Sequence, residues 1–185
     1  MAENKVMFGL KNVHYAVITY SGGVASFGTP KAIPGAVSLT MSPQGDVTPF
    51  YADNITYYSS VANNGYSGDL EIAKIPDEML QDVWGMTLGS TSKVITESTA
   101  EPSEFALLYQ IDGDASNECY VLYRCIGTRP AVGSSTITQT KEPQTQTTTI
   151  TAMPMSNGMV MARTTDATPA ATKTGWFSAV FVESP

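Results

Sequence analysis

The stretch Glu104–Thr128, EFALLYQIDGDASNECYVLYRCIGT, contains two runs that alternate as β-strands do. In the first run four large apolar residues fall on one face of a strand: Phe105, Leu107, Tyr109 and Ile111. Asp112–Asp114 offers a turn before the second run, which extends from Glu118 to Thr128. The stretch therefore predicts a β-hairpin.

Strand signals also dominate the rest of the chain. Apolar and β-branched runs predict further strands at Val13–Tyr20, Ala36–Met41, Met159–Thr164 and Trp176–Val182, the last two separated by the small, polar stretch 166–175. With 185 residues, the chain is expected to form one domain, 1–185, because about 150 residues per domain is usual. We predict a mostly β fold of two packed antiparallel sheets, either a sandwich or a barrel.

One segment, at about 76–84, has the pattern of a helix that flanks these sheets. Its apolar residues form a stripe at helical spacing: Ile75, Met79, Leu80, Val83 and Trp84. Pro76 suits the first helical position, and the acidic residues Asp77 and Glu78 favour the positive N-terminal end. Gly85 is typical of a helix C-cap.

The segment from about 42 to 68 mixes turn residues with aromatic residues: Phe50, Tyr51, Tyr57, Tyr58 and Tyr66. We predict a long loop here, and loops longer than about 15 residues are usually functional or disordered. Aromatic rings are enriched where one protein packs on another, which indicates a contact between subunits. Alternatively, the rings cover the chain's own core.

A second unusual stretch is threonine-rich. Residues 136–151 read TITQTKEPQTQTTTIT, broken at Glu142-Pro143. Threonine favours strands because its β-branched side chain fits a pleated surface. A strand normally has one apolar face for the core, but here both faces are polar for most of the length.

The charge balance argues against a protein that grips nucleic acid. The formal net charge is −7, whereas such a surface needs clustered Lys and Arg. Between residues 69 and 118, eleven Asp and Glu residues face only Lys74 and Lys93, which is typical of a solvated acidic surface. We expect no signal peptide and no membrane insertion, and therefore a cytosolic protein, because no apolar run approaches the ~20 residues that span a bilayer.

The two cysteines, Cys119 and Cys125, are predicted to be free thiols. Six residues at about 3.3 Å rise would separate them by roughly 20 Å along one strand, which is beyond disulfide reach. Their even spacing predicts that both point to the same side, as small buried hydrophobes.

Residues for catalysis are sparse, and we expect neither an enzyme nor a bound cofactor or metal. His14 is the sole histidine, so a site with two histidine ligands cannot be assembled, and its place in the middle of a predicted strand favours a structural role over a catalytic one. Asp46, Asp53 and Asn54 lack the spacing of a calcium loop and fit turns better.

Seven blocks of sequence, in this order along the chain, carry a resemblance to a known family: FGLKNVHYAV (8–17), GTPKAIPGAVSL (28–39), TPFYADN (48–54), NNGYSGDLEIAKIPDE (63–78), EFALLYQIDGD (104–114), YRCIGTRP (123–130) and EPQTQTTTITAMP (142–154). Together the blocks resemble the major tail proteins of long, non-contractile phage tails in viruses of Gram-positive bacteria. The resemblance extends from about residue 5 to the C-terminus. The Thr147–Thr149 run is more polar than the family pattern suggests.

The resemblance implies a structural virion protein with two packed β-sheets and a flanking helix. Six subunits would form a ring, and stacked rings would form the tail tube through which genomic DNA passes without specific binding. The implied partners are further copies of the chain, the tape-measure protein and the tail-end proteins. The protein would reside in the host cytoplasm before assembly and in the virion tail afterwards.

Two groups of residues become candidate sites under this interpretation. Thr145, Thr147 and Thr149 alternate on one strand face, which we expect to lie at the lumen or the subunit seam, or else to be an ordinary exposed sheet face. The candidate inter-subunit residues lie in the predicted loop: Pro49, Phe50, Tyr51, Asp53, Asn54, Tyr57 and Tyr58. The alternative function is a β-sandwich module that binds carbohydrate or another surface through the same rings.

Overall fold

The computed structural model describes residues 5–114, 117–136 and 143–183. About half of the described residues lie in strands and 8% in helices, so the predicted mostly β fold with antiparallel sheets and a flanking helix is confirmed. The strands are β1 Lys5–Ser21, β2 Val24–Phe27, β3 Lys31–Ala32, β4 Ala36–Gln44, β5 Val47–Ala52, β6 Ile55–Val61, β7 Gly65–Ile72, β8 Thr87–Leu88, β9 Ile95–Thr96, β10 Phe105–Asp114, β11 Cys119–Gly127, β12 Gln146–Met153 and β13 Met161–Arg163. The helices are α1 Asp77–Trp84 and α2 Ala170–Gly175.

Nine strands form one antiparallel sheet in the order β2-β1-β10-β11-β12-β7-β4, with β13 beside β11 and β3 beside β1. The predicted hairpin is its centre, because β10 pairs with β11. Its turn differs from the prediction, since β10 continues to Asp114 and pairs there with β1. Tyr15 of β1 and Ile72 of β7 belong to the same core although their strands are far apart in this order. The sheet therefore curls so that its inner face encloses one core.

Helix α1 packs against that inner core. Met79, Val83 and Trp84 are buried on the sheet, as the apolar stripe predicted. The helix ends at Gly85, which has φ 64°, a conformation that glycine adopts without the strain a Cβ would cause. The Trp84 indole Nε1 donates to the carbonyl oxygens of Gly127, at 3.1 Å, and Thr128, at 3.0 Å. These bonds tie the helix to the end of β11.

The C-terminal residues cover the outer face of β1, β10 and β11. The predicted strand Trp176–Val182 is wrong: α2 leads directly into a turn at residues 176–178, in which Ser178 N donates to Gly175 O at 3.0 Å, and residues 180–183 are neither helix nor strand. The residues packed on the sheet have helical spacing: Trp176, Phe177, Val180 and Phe181. Neither α1 nor α2, the helices of the described residues, is long and apolar enough to cross a membrane.

The prediction of a long loop at 42–68 is also wrong, because most of this segment is strand. It contains the end of β4, the whole hairpin β5–β6 and the start of β7. The chain turns at the base of the hairpin and at its tip, Asp53-Asn54, where φ is 52° and 63°, whereas Pro49 lies within β5. Both strands of the hairpin are rich in β-branched and aromatic residues, which favour extended backbone.

The two cysteines are free and buried, but they lie on opposite faces of β11, which corrects the expected common side. Phe105 pairs with Cys125 and Leu107 pairs with Leu122, so β11 has one more residue than β10 between these pairs. This β-bulge reverses the alternation of side chains. Cys119 therefore packs under the C-terminal layer, whereas Cys125 lies in the inner core.

The Thr-rich segment has one face in the core, contrary to the expectation of two polar faces. Its first part, 137–142, lies outside the described residues. In β12, Thr148, Ile150 and Ala152 are buried, whereas Thr147 and Thr149 are exposed. The Thr148 hydroxyl donates to Thr128 O at 2.7 Å, which satisfies its polar group within the core.

We predict that neither thiol reacts in the native protein at pH 8 and that both react after denaturation. Burial raises the pKa of the Cys125 thiol to about 12 and also raises that of Cys119, so little reactive thiolate is present. Thiol titration with and without denaturant measures this, with Ser59→Cys as an exposed, reactive control. An intrachain disulfide would contradict the placement of the cysteines on opposite faces.

We predict that Thr148→Val lowers the free energy of unfolding by about 1 kcal/mol, because it removes a buried hydrogen bond. Thr128 O keeps a donor, the Trp84 indole, which limits the loss. The control is Thr147→Val on the exposed face, which should change the value by less than about 0.5 kcal/mol. Urea unfolding followed by tryptophan fluorescence measures both, and equal effects would contradict the assigned faces of β12.

Candidate functional site

The hairpin β5–β6 is a candidate contact surface that projects beyond the central sheet. It continues the β4–β7 pair, since Asn64 N donates to Gln44 O at 2.9 Å and Ala62 N donates to Asp46 O at 3.2 Å. Its two-residue turn, Asp53-Asn54, has positive φ at both positions, the geometry that matches strand twist in tight hairpins. Within the described residues, β5 and β6 pair only with each other.

Both faces of this hairpin carry exposed apolar side chains. Val47 pairs with Val61, and Phe50 pairs with Tyr58. Val47 and Phe50 are three residues apart, so the two pairs lie on opposite faces. The apolar residues of the hairpin are 60–73% exposed: Val47, Phe50, Tyr51, Ile55, Tyr57, Tyr58 and Val61.

The seven predicted contact residues all lie on this hairpin: Pro49, Phe50 and Tyr51 on β5, Asp53 and Asn54 at the tip, and Tyr57 and Tyr58 on β6. The alternative that the rings cover the chain's own core is wrong for four of the five aromatic residues, which are exposed. It is right for Tyr66, which packs against the inner core. A two-stranded hairpin is marginally stable alone in water, and an exposed apolar patch marks a contact surface.

A second candidate surface is the outer face of β4, β7 and β12, where polar side chains form two rows across the strands. Thr147, Glu71 and Ser38 are aligned in one row. Thr149, Asp69 and Thr40 are aligned in the next. We call this surface the hydroxyl face. The three predicted threonines, Thr145, Thr147 and Thr149, are all exposed and together on it.

Hydroxyl groups bind the two carboxylates of the hydroxyl face. Thr149 Oγ1 donates to Asp69 Oδ1 at 2.7 Å. Glu71 accepts from Thr145 Oγ1 at 2.6 Å and from Ser38 Oγ at 2.9 Å. These bonds lower the pKa of Glu71, because they stabilise its charged form. The described strands β4, β7 and β12 contain no Lys or Arg, so the hydroxyl face is neutral to acidic.

The sequence interpretation missed an open groove of about 520 Å³ between β2 and the C-terminal layer. Phe27, Met155 and Val180 are among its lining residues. The available signal was the short strand Val24–Phe27 between glycines, which is typical of an edge strand with close backbone approach.

Histidine, cysteine, aspartate and glutamate side chains are the groups that a metal site would use. Among residues 5–114, 117–136 and 143–183, no group of three or more His, Cys, Asp or Glu side chains is arranged to hold a metal ion. His14 contacts Asn12 O through Nδ1 at 2.8 Å, and its ring lies 4.9 Å from that of Phe177. These contacts are those of a structural histidine.

No protein-family model matches the chain, and no curated protein gives a significant match. A function is therefore inferred from the two surfaces described above. One is a hairpin with apolar side chains on both faces, which favours contacts with other protein. The other is a sheet face of hydroxyls and carboxylates, which does not attract polyanions.

Proposed function

We propose that the chain is the structural subunit of a phage tail tube, in which six copies form a ring and rings stack into a conduit for DNA. The observation that carries this proposal is the hairpin β5–β6, whose exposed apolar side chains lie on both faces. A hairpin of this kind needs protein on both sides to remove its apolar surface from water. The resemblance of seven sequence blocks to major tail proteins supports the same function.

The exposed side chains of the hairpin supply a driving force for the proposed self-assembly. Full burial of a large apolar side chain stabilises by roughly 1.5–3 kcal/mol. Seven such side chains are more than half exposed in the free subunit. Because association also costs translational and side-chain entropy, several of these side chains must be buried together before the contact is stable.

The hydroxyl face supports a lumen or seam position for Thr145, Thr147 and Thr149. DNA must slide through the tube, and a lysine-rich wall would bind its phosphates with release of counterions. Hydroxyls and two hydrogen-bonded carboxylates offer no such attraction. The sheet face is therefore suited to DNA passage without specific binding.

The remaining partners follow from this role. The tube would enclose the tape-measure protein before DNA enters and would join the tail-end proteins at its ends. The subunit would wait in the host cytoplasm and then become part of the virion tail. DNA passage makes and breaks no covalent bond, so the proposed role requires neither a catalytic residue nor a cofactor.

A second candidate function is a carbohydrate- or surface-binding module of a virion or adhesin. The exposed rings of Tyr51, Tyr57 and Tyr58 favour it, because flat aromatic side chains stack on sugar rings. The two functions differ in what concentrated protein does. Rings or tubes in negative-stain images support the tail tube, whereas a stable monomer that binds glycans supports the module.

We predict that replacing Asp46–Ala62 with Asn-Gly gives a folded monomer that forms no rings or tubes. The replacement closes β4 onto β7 with a tight turn and leaves both cores intact. Electron microscopy and thermal unfolding measure assembly and folding. The control is Val132→Ser, which changes a 94% exposed apolar residue outside the hairpin and should assemble normally. Normal assembly of the shortened chain would contradict a role of the hairpin.

We predict that tubes carrying Thr145→Lys, Thr147→Lys and Thr149→Lys retain DNA that wild-type tubes release. Three new phosphate contacts should give binding that weakens about 40-fold between 50 and 200 mM salt. Retention of labelled double-stranded DNA by purified tubes measures this. The matched control places the lysines at Thr87, Ser90 and Thr91, which are exposed outside the hydroxyl face. Equal DNA retention by both variants would contradict a lumen position of the hydroxyl face.

A further inference from the structure

The groove beside β2 and the hairpin β5–β6 are two apolar surfaces of one chain. Three exposed apolar residues outside the hairpin lie at this groove or beside it: Tyr20, Val24 and Val182. The residues that line the groove include no charged side chain. The hairpin strands β5 and β6 contain none either. In a chain of net charge −7, these surfaces can meet without the repulsion that opposes other contacts between copies.

Strand β2 has a free backbone edge along this groove. Gly28 N donates to Val17 O at 2.9 Å, and Ser26 pairs with Thr19 two residues away. Hydrogen-bonded and non-hydrogen-bonded pairs alternate in an antiparallel ladder, so the N–H and C=O groups of Ala25 and Phe27 point away from β1. Among the described residues, β2 has no ladder partner other than β1.

The hairpin has two outer edges, and only one of them is intact. Ala62 N donates to Asp46 O, so these two residues form a hydrogen-bonded pair. Because such pairs alternate with non-hydrogen-bonded ones, the N–H and C=O groups of the pairs Val47–Val61 and Pro49–Ser59 point outward. Pro49 has no N–H, so the outer edge of β5 is interrupted there. The outer edge of β6 has free groups at Ser59 and Val61, with the same two-residue spacing as Ala25 and Phe27.

We propose that β6 of one copy pairs with the free edge of β2 in a second copy and extends its sheet. Ser59 and Val61 would exchange hydrogen bonds with Ala25 and Phe27. Apolar side chains of the hairpin would fill the groove against Met155 and Val180. The inference rests on the proposed self-assembly and adds its receiving surface. The contact is head-to-tail, because β6 and β2 are different surfaces of the chain.

Proline substitutions at the two hairpin edges test the pairing. Val61→Pro and Val47→Pro each remove an outward N–H from the same cross-strand pair, so neither breaks a bond within the hairpin. We expect Val61→Pro, and Ala25→Pro on the receiving edge, to raise the concentration needed for assembly by at least about tenfold. Val47→Pro also loses an exposed valine side chain of the hairpin but no N–H of the β6 edge, so it should raise this concentration clearly less than Val61→Pro does. Sedimentation velocity measures association and circular dichroism measures folding; an equal effect of both hairpin prolines overturns the proposal.

Cysteine pairing between different copies tests the contact without disturbing the backbone. Full-length Ala25→Cys protein is mixed with Ser59→Cys or Val61→Cys protein under mild oxidation. We expect a disulfide-linked dimer in at least one mixture and none with either variant alone, because paired strands bring Cα atoms to 4.5–5.5 Å. Wild-type protein, whose two thiols are buried, gives the background level of cross-linking.

The outcomes separate this inference from the proposed function. Tubes that form without any cross-link overturn the β6–β2 pairing and leave the tail-tube function standing. A cross-link in small oligomers that never form rings or tubes supports the pairing and overturns the tail-tube function. A wild-type chain that stays monomeric at all concentrations overturns both.

Discussion

The central sheet must bury apolar side chains on both faces at β1, β10 and β11, but on only one face at β12, β7 and β4. The inner face encloses α1 and one core from β1 to β4. On the outer face, the C-terminal layer packs on Ala106, Leu108, Val121 and Tyr123. Beyond that layer, the same face is built from threonine, serine and carboxylates. The chemistry of the hydroxyl face is thus set by where the second layer ends.

Local patterns predicted the elements whose signals lie within a few residues. The helix ended at Gly85 because the residue after a helix favours a positive φ, which glycine adopts freely. Non-local features were not predictable in this way. The bulge in β11 depends on its register with β10, so even spacing misplaced Cys119 and Cys125. At the C-terminus, the apolar run Trp176–Val182 fits a strand by local pattern, and only its packing on the outer face of the sheet distinguishes it from a turn-rich layer.

The candidate surfaces were predictable in part. Period-two spacing placed Thr145, Thr147 and Thr149 on one face without any knowledge of the fold. Their carboxylate partners, Asp69 and Glu71, are more than seventy residues away and depend on the pairing of β12 with β7. The aromatic content of the hairpin was visible in the sequence. That both faces are exposed follows from the pairing of β5 with β6. The turn residues in the sequence do not distinguish such a hairpin from a loop.

If the chain assembles as proposed, so much exposed apolar surface requires that one contact between copies is favoured over all others. Its net charge of −7 opposes random contacts between copies, whereas β5 and β6 have no charge in their strands. Pro49 interrupts one hairpin edge, as edge strands of natural proteins often do. In the proposed contact, each copy then offers one donor edge, β6, and one receiving edge, β2. Such a head-to-tail contact closes into a ring when its rotation divides a full turn, and otherwise continues as a filament. In the proposed assembly, the angle between β6 and β2 of the paired copies would therefore set the number of copies in a ring.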